Sequence, residues 1–485
     1  MSPSEVFSTL ALFKTEIGLG LLALIGIIGD MFLPKTVDRG RALTRFAIGG
    51  LAVLLGLLAS SWGHFGSAFG GSFVQDGASF FFKTFFLITG IFVLHMAGQY
   101  ESKIKRGRSE FVVLILFALT GMCLLSSASE FLLFFVSLET LAVSLYIITA
   151  YMRDDERSIE AGIKFLVLGA LSTAILVFGL SFVYGSTGLT NFAAIAAAIS
   201  AQPAVPVTFY FGAALVLIAM FFKIAAFPFH IWVPDVYEGA PAPITAFLAL
   251  GSKAAGFAAL LRLISTVFAP IQDQFILPLL AVLSAATIIY GNFGALNQKN
   301  VKRMLAYSSI GHAGYLLIGL AAMKSGGAEG VLVYLAGYLF STAAAFLVVV
   351  WMSAKLGIET ISDYAGLGRR SPVTAAAMLL AMSSLAGVPP MAGFFGKFFI
   401  LSLAVKSGLI WLAAIGLLNV VVSLYYYLGV VKFMYARPAA DETPLTISLS
   451  QRVALYTSMA GIIILGIYPT PVLQLASQAI HTLVR

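Results

Sequence analysis

Apolar stretches of about 20 residues recur from one end of this 485-residue sequence to the other, separated only by short polar connections. A helix needs about that length to cross the hydrocarbon core of a bilayer. Hydrophobic residues make up 60% of the chain and charged residues only 10%, against about one quarter charged in soluble domains. A water-soluble fold is excluded. The apolar stretches lack the sustained period-two alternation of barrel strands. Lipid leaves the helix as the other way to satisfy every backbone group internally. The chain therefore reads as an all-α polytopic membrane protein.

About 14 transmembrane helices are expected, at roughly 15–33, 42–59, 78–97, 111–128, 130–151, 161–184, 207–228, 243–265, 274–294, 302–322, 329–353, 371–403, 409–435 and 453–483. The twelfth is too long for one crossing and carries Gly387, Pro389, Pro390 and Gly393, so it is expected to break in the middle. The seventh ends at Pro228 and resumes in 231–238. Helices 7 and 12 are thus discontinuous. Each is the fourth span of a block of five, helices 4–8 and helices 9–13, and an odd block length inverts the second block. Two inverted five-helix repeats follow from that pattern alone, since little residue identity joins the blocks. The expected organisation is 1–110 for three N-terminal helices, 111–266 for the first repeat, 267–440 for the second, and 441–485 for helix 14.

Net charge is +8, from 29 Lys and Arg against 21 Asp and Glu. Most of the basic residues fall in one alternating set of connections, among them Lys35, Arg39, Lys103, Lys105, Arg153, Lys299, Arg369, Lys432 and Arg437. The other set, with both termini, holds only Lys14, Arg262, Lys324, Lys406 and Arg485. The positive-inside rule places the first set in the cytoplasm and both termini on the outer side. The charge excess therefore reflects topology and implies no nucleic-acid partner. The start MSPSEVFSTL lacks the basic region and cleavage site of a signal peptide, so the first apolar run is expected to remain as a span. A single cysteine, Cys123, cannot build a disulfide framework or an iron–sulfur site alone.

Charges that fall inside spans are costly, by about 2.5–3.5 kcal/mol each on insertion scales, and mark ion or substrate paths unless they snorkel to the interface. Lys253 in "ALGSKAAGF" and Glu139 in "FFVSLETLAVSLY" are too deep to reach water easily. Lys223 precedes a helix break: Pro228 has no N–H for the Ile224 carbonyl, and a hydrated cavity would accommodate both the ammonium and the freed carbonyl. Lys397 repeats the arrangement, with Pro389 and Pro390 releasing the carbonyls of Leu385 and Ala386. Lys164 and Lys83 lie near span ends, where snorkelling or a structural role accounts for them. His312 is either a hydrogen-bonded core histidine or a proton relay, its ordinary pKa of about 6.5 suiting the second. His230 is either a polar lining residue or a group at the mouth where protons come in. A row of Glu, Lys and His suits protons better than organic solutes. Neither a cage of oxygen ligands nor a phosphate-binding glycine loop is present; "GFFGKFF" has the wrong spacing.

The stretch "FKIAAFPFHIWVPDVYEGAPAPITAFLALGSK" strongly resembles the antiporter-like subunits of respiratory complex I. "NVKRMLAYSSIGHAGYLLIG" and "SLAGVPPMAGFFGKF" extend the resemblance over essentially the whole chain. Three features resemble the N type, called subunit 2 in mitochondria, more than its M and L sisters. "PDVYEGAP" stands where the sisters read "PDAH-x-EAP", Lys397 stands where the M type has glutamate, and the chain is too short for the lateral helix of the L type. The resemblance implies a proton-translocating subunit of NADH:quinone oxidoreductase in a bacterial plasma membrane. It implies Glu139 and Lys223 as a charge pair, Lys253 as the central relay and Lys397 in a distal half-channel. It also makes Lys164 in "EAGIKF" functional, which position alone does not. NADH, FMN, iron–sulfur clusters and quinone are expected on other subunits, with none bound here. Expected partners are M- and L-type subunits, the L-type lateral helix, a small K-type subunit, and lipids. The alternatives are a subunit of a multisubunit cation/proton antiporter or membrane-bound hydrogenase, and a scaffold with no transport role.

Overall fold

The computed structural model describes residues 9–32, 34, 38–439, 441 and 443–483. Lys35, Arg485 and the chain ends used in assigning the termini lie outside them. Helices α1 (Lys14–Phe32), α2 (Arg39–Ala59), α3 (Gly77–Gln99), α4 (Arg108–Ser127), α5 (Phe131–Thr149) and α6 (Glu156–Thr187) are followed by a short α7 (Phe192–Ser200) and α8 (Val207–Ile224). Then come α9 (Trp232–Gly239), α10 (Ala242–Phe247), α11 (Lys253–Ser265), α12 (Leu277–Ala295), α13 (Val301–Ala321) and α14 (Gly327–Leu356). The last are α15 (Leu367–Arg370), α16 (Pro372–Ala386), α17 (Ala392–Lys406), α18 (Ile410–Ala436), α19 (Leu449–Ile467) and α20 (Thr470–Leu483). Among the described residues 13 helical spans are long and apolar enough to cross a membrane. The broken pair α16 and α17 supplies the fourteenth.

The breaks are where prolines forbid continuation. Helix α8 stops at Ile224, short of the expected 228, because the Pro228 ring would collide with the carbonyl four residues before it; Ala225 turns into the left-handed region at φ 63°. The chain regains helical form in α9. Between α16 and α17, Gly387 takes φ 94° and its N–H bonds back to Ser383 and Ser384. The span expected at 453–483 is not continuous. It divides at Tyr468–Pro469 into α19 and α20, since Pro469 lacks the N–H that a through-going helix needs there. A two-stranded hairpin, β1 (Gly66–Ala68) and β2 (Phe73–Gln75), and helix α7 occupy connections where no regular structure was expected.

Contacts divide the chain into two compact units: 1–224 with 251–278 and 477–485, and 225–250 with 279–476. In the first, α1 to α4 pack as neighbours, α5 joins α4 to α6, and α11 lies against α3, α4 and α8. In the second, α14 is the central helix, touching α10, α13, α16, α17 and α19. Helix crossings in lipid rest on close packing of small residues. At the α6–α8 crossing a Cβ on Gly179 or on Gly212 would lie 2.9 Å from the other's carbonyl oxygen. Gly179→Val should therefore overpack this crossing and cost about 1–3 kcal/mol. Thermal unfolding of the purified subunit in detergent checks this; an unchanged midpoint would mean the crossing relaxes freely.

Candidate functional site

In the second unit the site is built on the break between α16 and α17. The last carbonyls of any helix lack intrahelical donors and form the negative end of its dipole. Here the Lys397 ammonium, one turn into α17, reaches back and donates to Leu385 O at 2.8 Å and Ala386 O at 3.1 Å. These are the two carbonyls expected to be freed by Pro389 and Pro390. Lys397 is only 3% exposed, and its charge also lies 5.0 Å from the centre of the Tyr315 ring, a favourable cation–π distance. Ser384 stitches the break from the other side, accepting from Gly393 N at 3.0 Å and pairing with Ser341 Oγ at 2.7 Å.

His312, on α13, is a connected group. Its Nδ1 lies 2.6 Å from Tyr334 Oη and its Nε2 3.0 Å from Tyr427 Oη, and Tyr427 continues to Ser308 Oγ. A neutral imidazole donates from one nitrogen and accepts at the other, so this chain can pass a proton by exchanging tautomers. Tyr315 stacks on Tyr334, ring centres 6.3 Å apart, and spends its hydroxyl on Gly416 O at 2.7 Å. A ring face, not a hydrogen bond, therefore separates the histidine chain from Lys397. His230 follows the other break, stacked on Phe227 at 5.4 Å and against Tyr290 at 4.0 Å. It is 3% exposed, and neither ring nitrogen has a hydrogen-bond partner among the described residues.

In the first unit Lys223 sits in the last turn of α8. Its ammonium does not fold back on Ile224; it points sideways to α5, 3.4 Å from Tyr146 Oη and 5.8 Å from that ring's centre. Glu139, on α5 two turns before Tyr146, accepts from Thr173 Oγ1 at 2.8 Å. Among the described residues no ion pair joins Glu139 to Lys223, although their charges interact. A small cavity beside Lys223 is walled by Leu125, Leu138, Leu141, Leu145 and Phe165, with Ser252 and Gly256. Lys253 begins α11 directly after a π-helical turn, Leu248–Ser252, and is buried. Such widened turns concentrate at functional positions. Lys164 differs: its side chain is 41% exposed and pairs with Glu160 one turn earlier at 2.7 Å, the arrangement expected of a lysine on the outer face of a helix.

Two further buried charge pairs lie in this unit. Lys83 Nζ meets Glu16 Oε1 at 2.7 Å with both side chains essentially inaccessible, and Gln75 Oε1 also accepts from it. Arg262, in the last turn of α11, pairs with Asp76 at 2.9 Å and donates twice to Ser126 O. Arg262 and Glu16 each fall near a span end, where the sequence pattern groups Arg262 with the connections and does not single out Glu16. The tyrosines were missed too, although Glu139 and Tyr146 stand seven residues apart, on one helical face.

The family described as "NADH:quinone oxidoreductase/Mrp antiporter, TM" matches residues 128–423. The NADH-quinone oxidoreductase subunit N of Trichlorobacter lovleyi is 42% identical, with 98% of each chain covered. This chain belongs to the subunit N family. A chain of respiratory complex I from Thermus thermophilus superimposes with a TM-score of 0.80 at 33% identity, over 95% of this chain and 98% of that one. A chain of the Mrp complex from Dietzia reaches 0.87 at 20% identity, over 100% of this chain and 98% of its own, and shows a common fold. The family match spans every candidate from Glu139 to Lys397 but begins after Glu16 and Lys83. In this subunit N relative the Glu16–Lys83 pair is thus separate from the matched region. Lys83→Met would leave Glu16 as a lone buried charge and should cost about 3–5 kcal/mol, whereas Glu16→Leu with Lys83→Met should recover most of it. Thermal denaturation of the two variants decides between them.

Proposed function

We propose that this chain is a proton-translocating membrane subunit of NADH:quinone oxidoreductase, held in a bacterial plasma membrane with both termini outside. The observation that carries the reading is Lys397 across a broken helix, beside a chain of His312 and two tyrosine hydroxyls. Each protonated lysine here is held by groups that favour its charge: carbonyls and a ring face at Lys397, a phenol and a distant carboxylate at Lys223. Electron transfer in other subunits changes the Glu139–Lys223 interaction. The change alters the proton affinity of Lys253, and a proton leaves through Lys397. His312 relays between Tyr334 and Tyr427, and rotation of Tyr315 opens or closes its connection to Lys397. Lys164 and His230 serve as peripheral groups, the first on an outer helix face and the second beside the α8 break.

NADH, FMN, iron–sulfur clusters and quinone are assigned to other subunits. The M- and L-type subunits, the L-type lateral helix and a K-type subunit are the neighbours in this reading. Two inverted five-helix repeats, helices 4–8 and 9–13, would give one half-channel each. A cation/proton antiporter or hydrogenase subunit is less favoured, because the relatives near 40% identity that span almost the full chain are named for NADH-quinone oxidoreductase.

Lys223→Ala should leave the complex assembled and lower the protons pumped per NADH oxidised; full pumping by an assembled variant would remove Lys223 from the mechanism. Tyr334→Phe removes the hydroxyl at His312 Nδ1 and should slow pumping by about 100-fold, the lower end of what a lost proton-transfer group costs. Tyr315→Phe, which keeps the ring over Lys397, should change it far less. Proton uptake in vesicles, measured alongside NADH oxidation, separates the two.

A further inference from the structure

The cytoplasmic ends of α12 and α18, as loop charge assigns the sides, enclose with residues 360–362 a groove of about 940 Å³. Its size falls near the upper end for small-ligand sites. Leu424 and Leu428 form its deeper wall, one helical turn apart on α18, and Lys432 continues the same face a turn further on. Gly429 faces open space with no atom within 4 Å of a would-be Cβ, so the floor is bare backbone. Lys299, Lys432 and Arg437 line the groove, all exposed, and no lining residue is acidic.

Several neighbouring cations are already neutralised. On the same side of this unit Lys302 pairs with Glu359 at 2.8 Å, Arg303 with Asp235 and Glu238 at 2.8 Å each, and Arg370 with Asp441 at 3.3 Å. Among the described residues Lys299, Lys432 and Arg437 have no such acidic partner. An apolar trough that ends in unneutralised cations at the interface has the polarity of a phospholipid: chains below, phosphate above. Basic pockets between helix ends on the cytoplasmic side suit anionic headgroups, and a guanidinium can hold a phosphate through two parallel hydrogen bonds. A partner helix would instead need acidic residues aligned with only one end of an otherwise apolar trough.

We propose that this groove binds an anionic phospholipid, its phosphate held by Lys299, Lys432 and Arg437 and an acyl chain lying along Leu424, Leu428 and Gly429. The test uses the intact complex in nanodiscs of phosphatidylcholine doped with photoactivatable phosphatidylglycerol. The lipid should crosslink to α18, and labelled phosphatidylcholine should not. The triple variant K299Q/K432Q/R437Q should weaken capture by about a hundredfold, from roughly a fivefold loss per charge. G429W, which fills the trough and keeps every charge, should also abolish it. Undiminished capture by both variants would overturn the proposal. Crosslinking to a neighbouring subunit in place of lipid would overturn it in favour of a protein partner. Complete displacement by millimolar inorganic phosphate would overturn it in favour of a soluble anion.

Discussion

A helix broken inside lipid leaves carbonyls that must find a donor, and the fold answers with a lysine. In hydrocarbon an unsatisfied backbone group costs several kcal/mol, and so does an isolated ammonium. Placing Lys397 against Leu385 O and Ala386 O makes each expense offset the other. The arrangement depends on the proton: without it, the charge that the helix end favours is gone. A device that stabilises the fold in one protonation state and not in the other is suited to coupling proton movement to conformation.

The Arg262–Asp76 pair illustrates what a charge does when it is fixed instead. Asp76 caps α3 through Ser79 N, and Arg262 is shared between that carboxylate and Ser126 O. The outer end of α11, the helix that Lys253 opens, is thereby tied to α3 and α4. Lys253 sits about nine residues, or roughly 13 Å of helix rise, from that anchor. A rigid outer end and a π-helical turn at the inner one place the adjustable part of this helix next to its lysine.

The span pattern was legible because apolar length, proline and loop charge act locally: the break at Gly387–Pro390 and its two freed carbonyls follow from the chemistry of proline alone. The partners of the buried charges were not, because a tyrosine on one helix and a histidine on another meet only through packing. Lys223 is instructive. Its nearness to Pro228 pointed to a hydrated cavity shared with the freed Ile224 carbonyl, whereas from the last turn of α8 its stem leads sideways to Tyr146. Lys164 lies near a span end, where position alone favours snorkelling, and its 41% exposure and its Glu160 partner show the outer helix face it occupies. The division of α19 from α20 was readable at Pro469 and was outweighed by the apolar run around it.

The two breaks are consequently unequal devices. Lys397 lies after its break and binds the end of the helix before it, so its ammonium is committed to local backbone. Lys223 lies before its break and makes one long hydrogen bond, to Tyr146 on the helix that also carries Glu139, with the Tyr146 and Phe222 rings at the outer limit of cation–π distance. A charge held by one weak hydrogen bond moves when a distant carboxylate changes; one held by two carbonyls and a ring face moves only when it loses its proton. In the proposed mechanism this inequality gives the sequence of events a direction. The lightly held lysine senses the signal, and the one bound to two carbonyls is where that reading has a proton exchanged with the relay beside it.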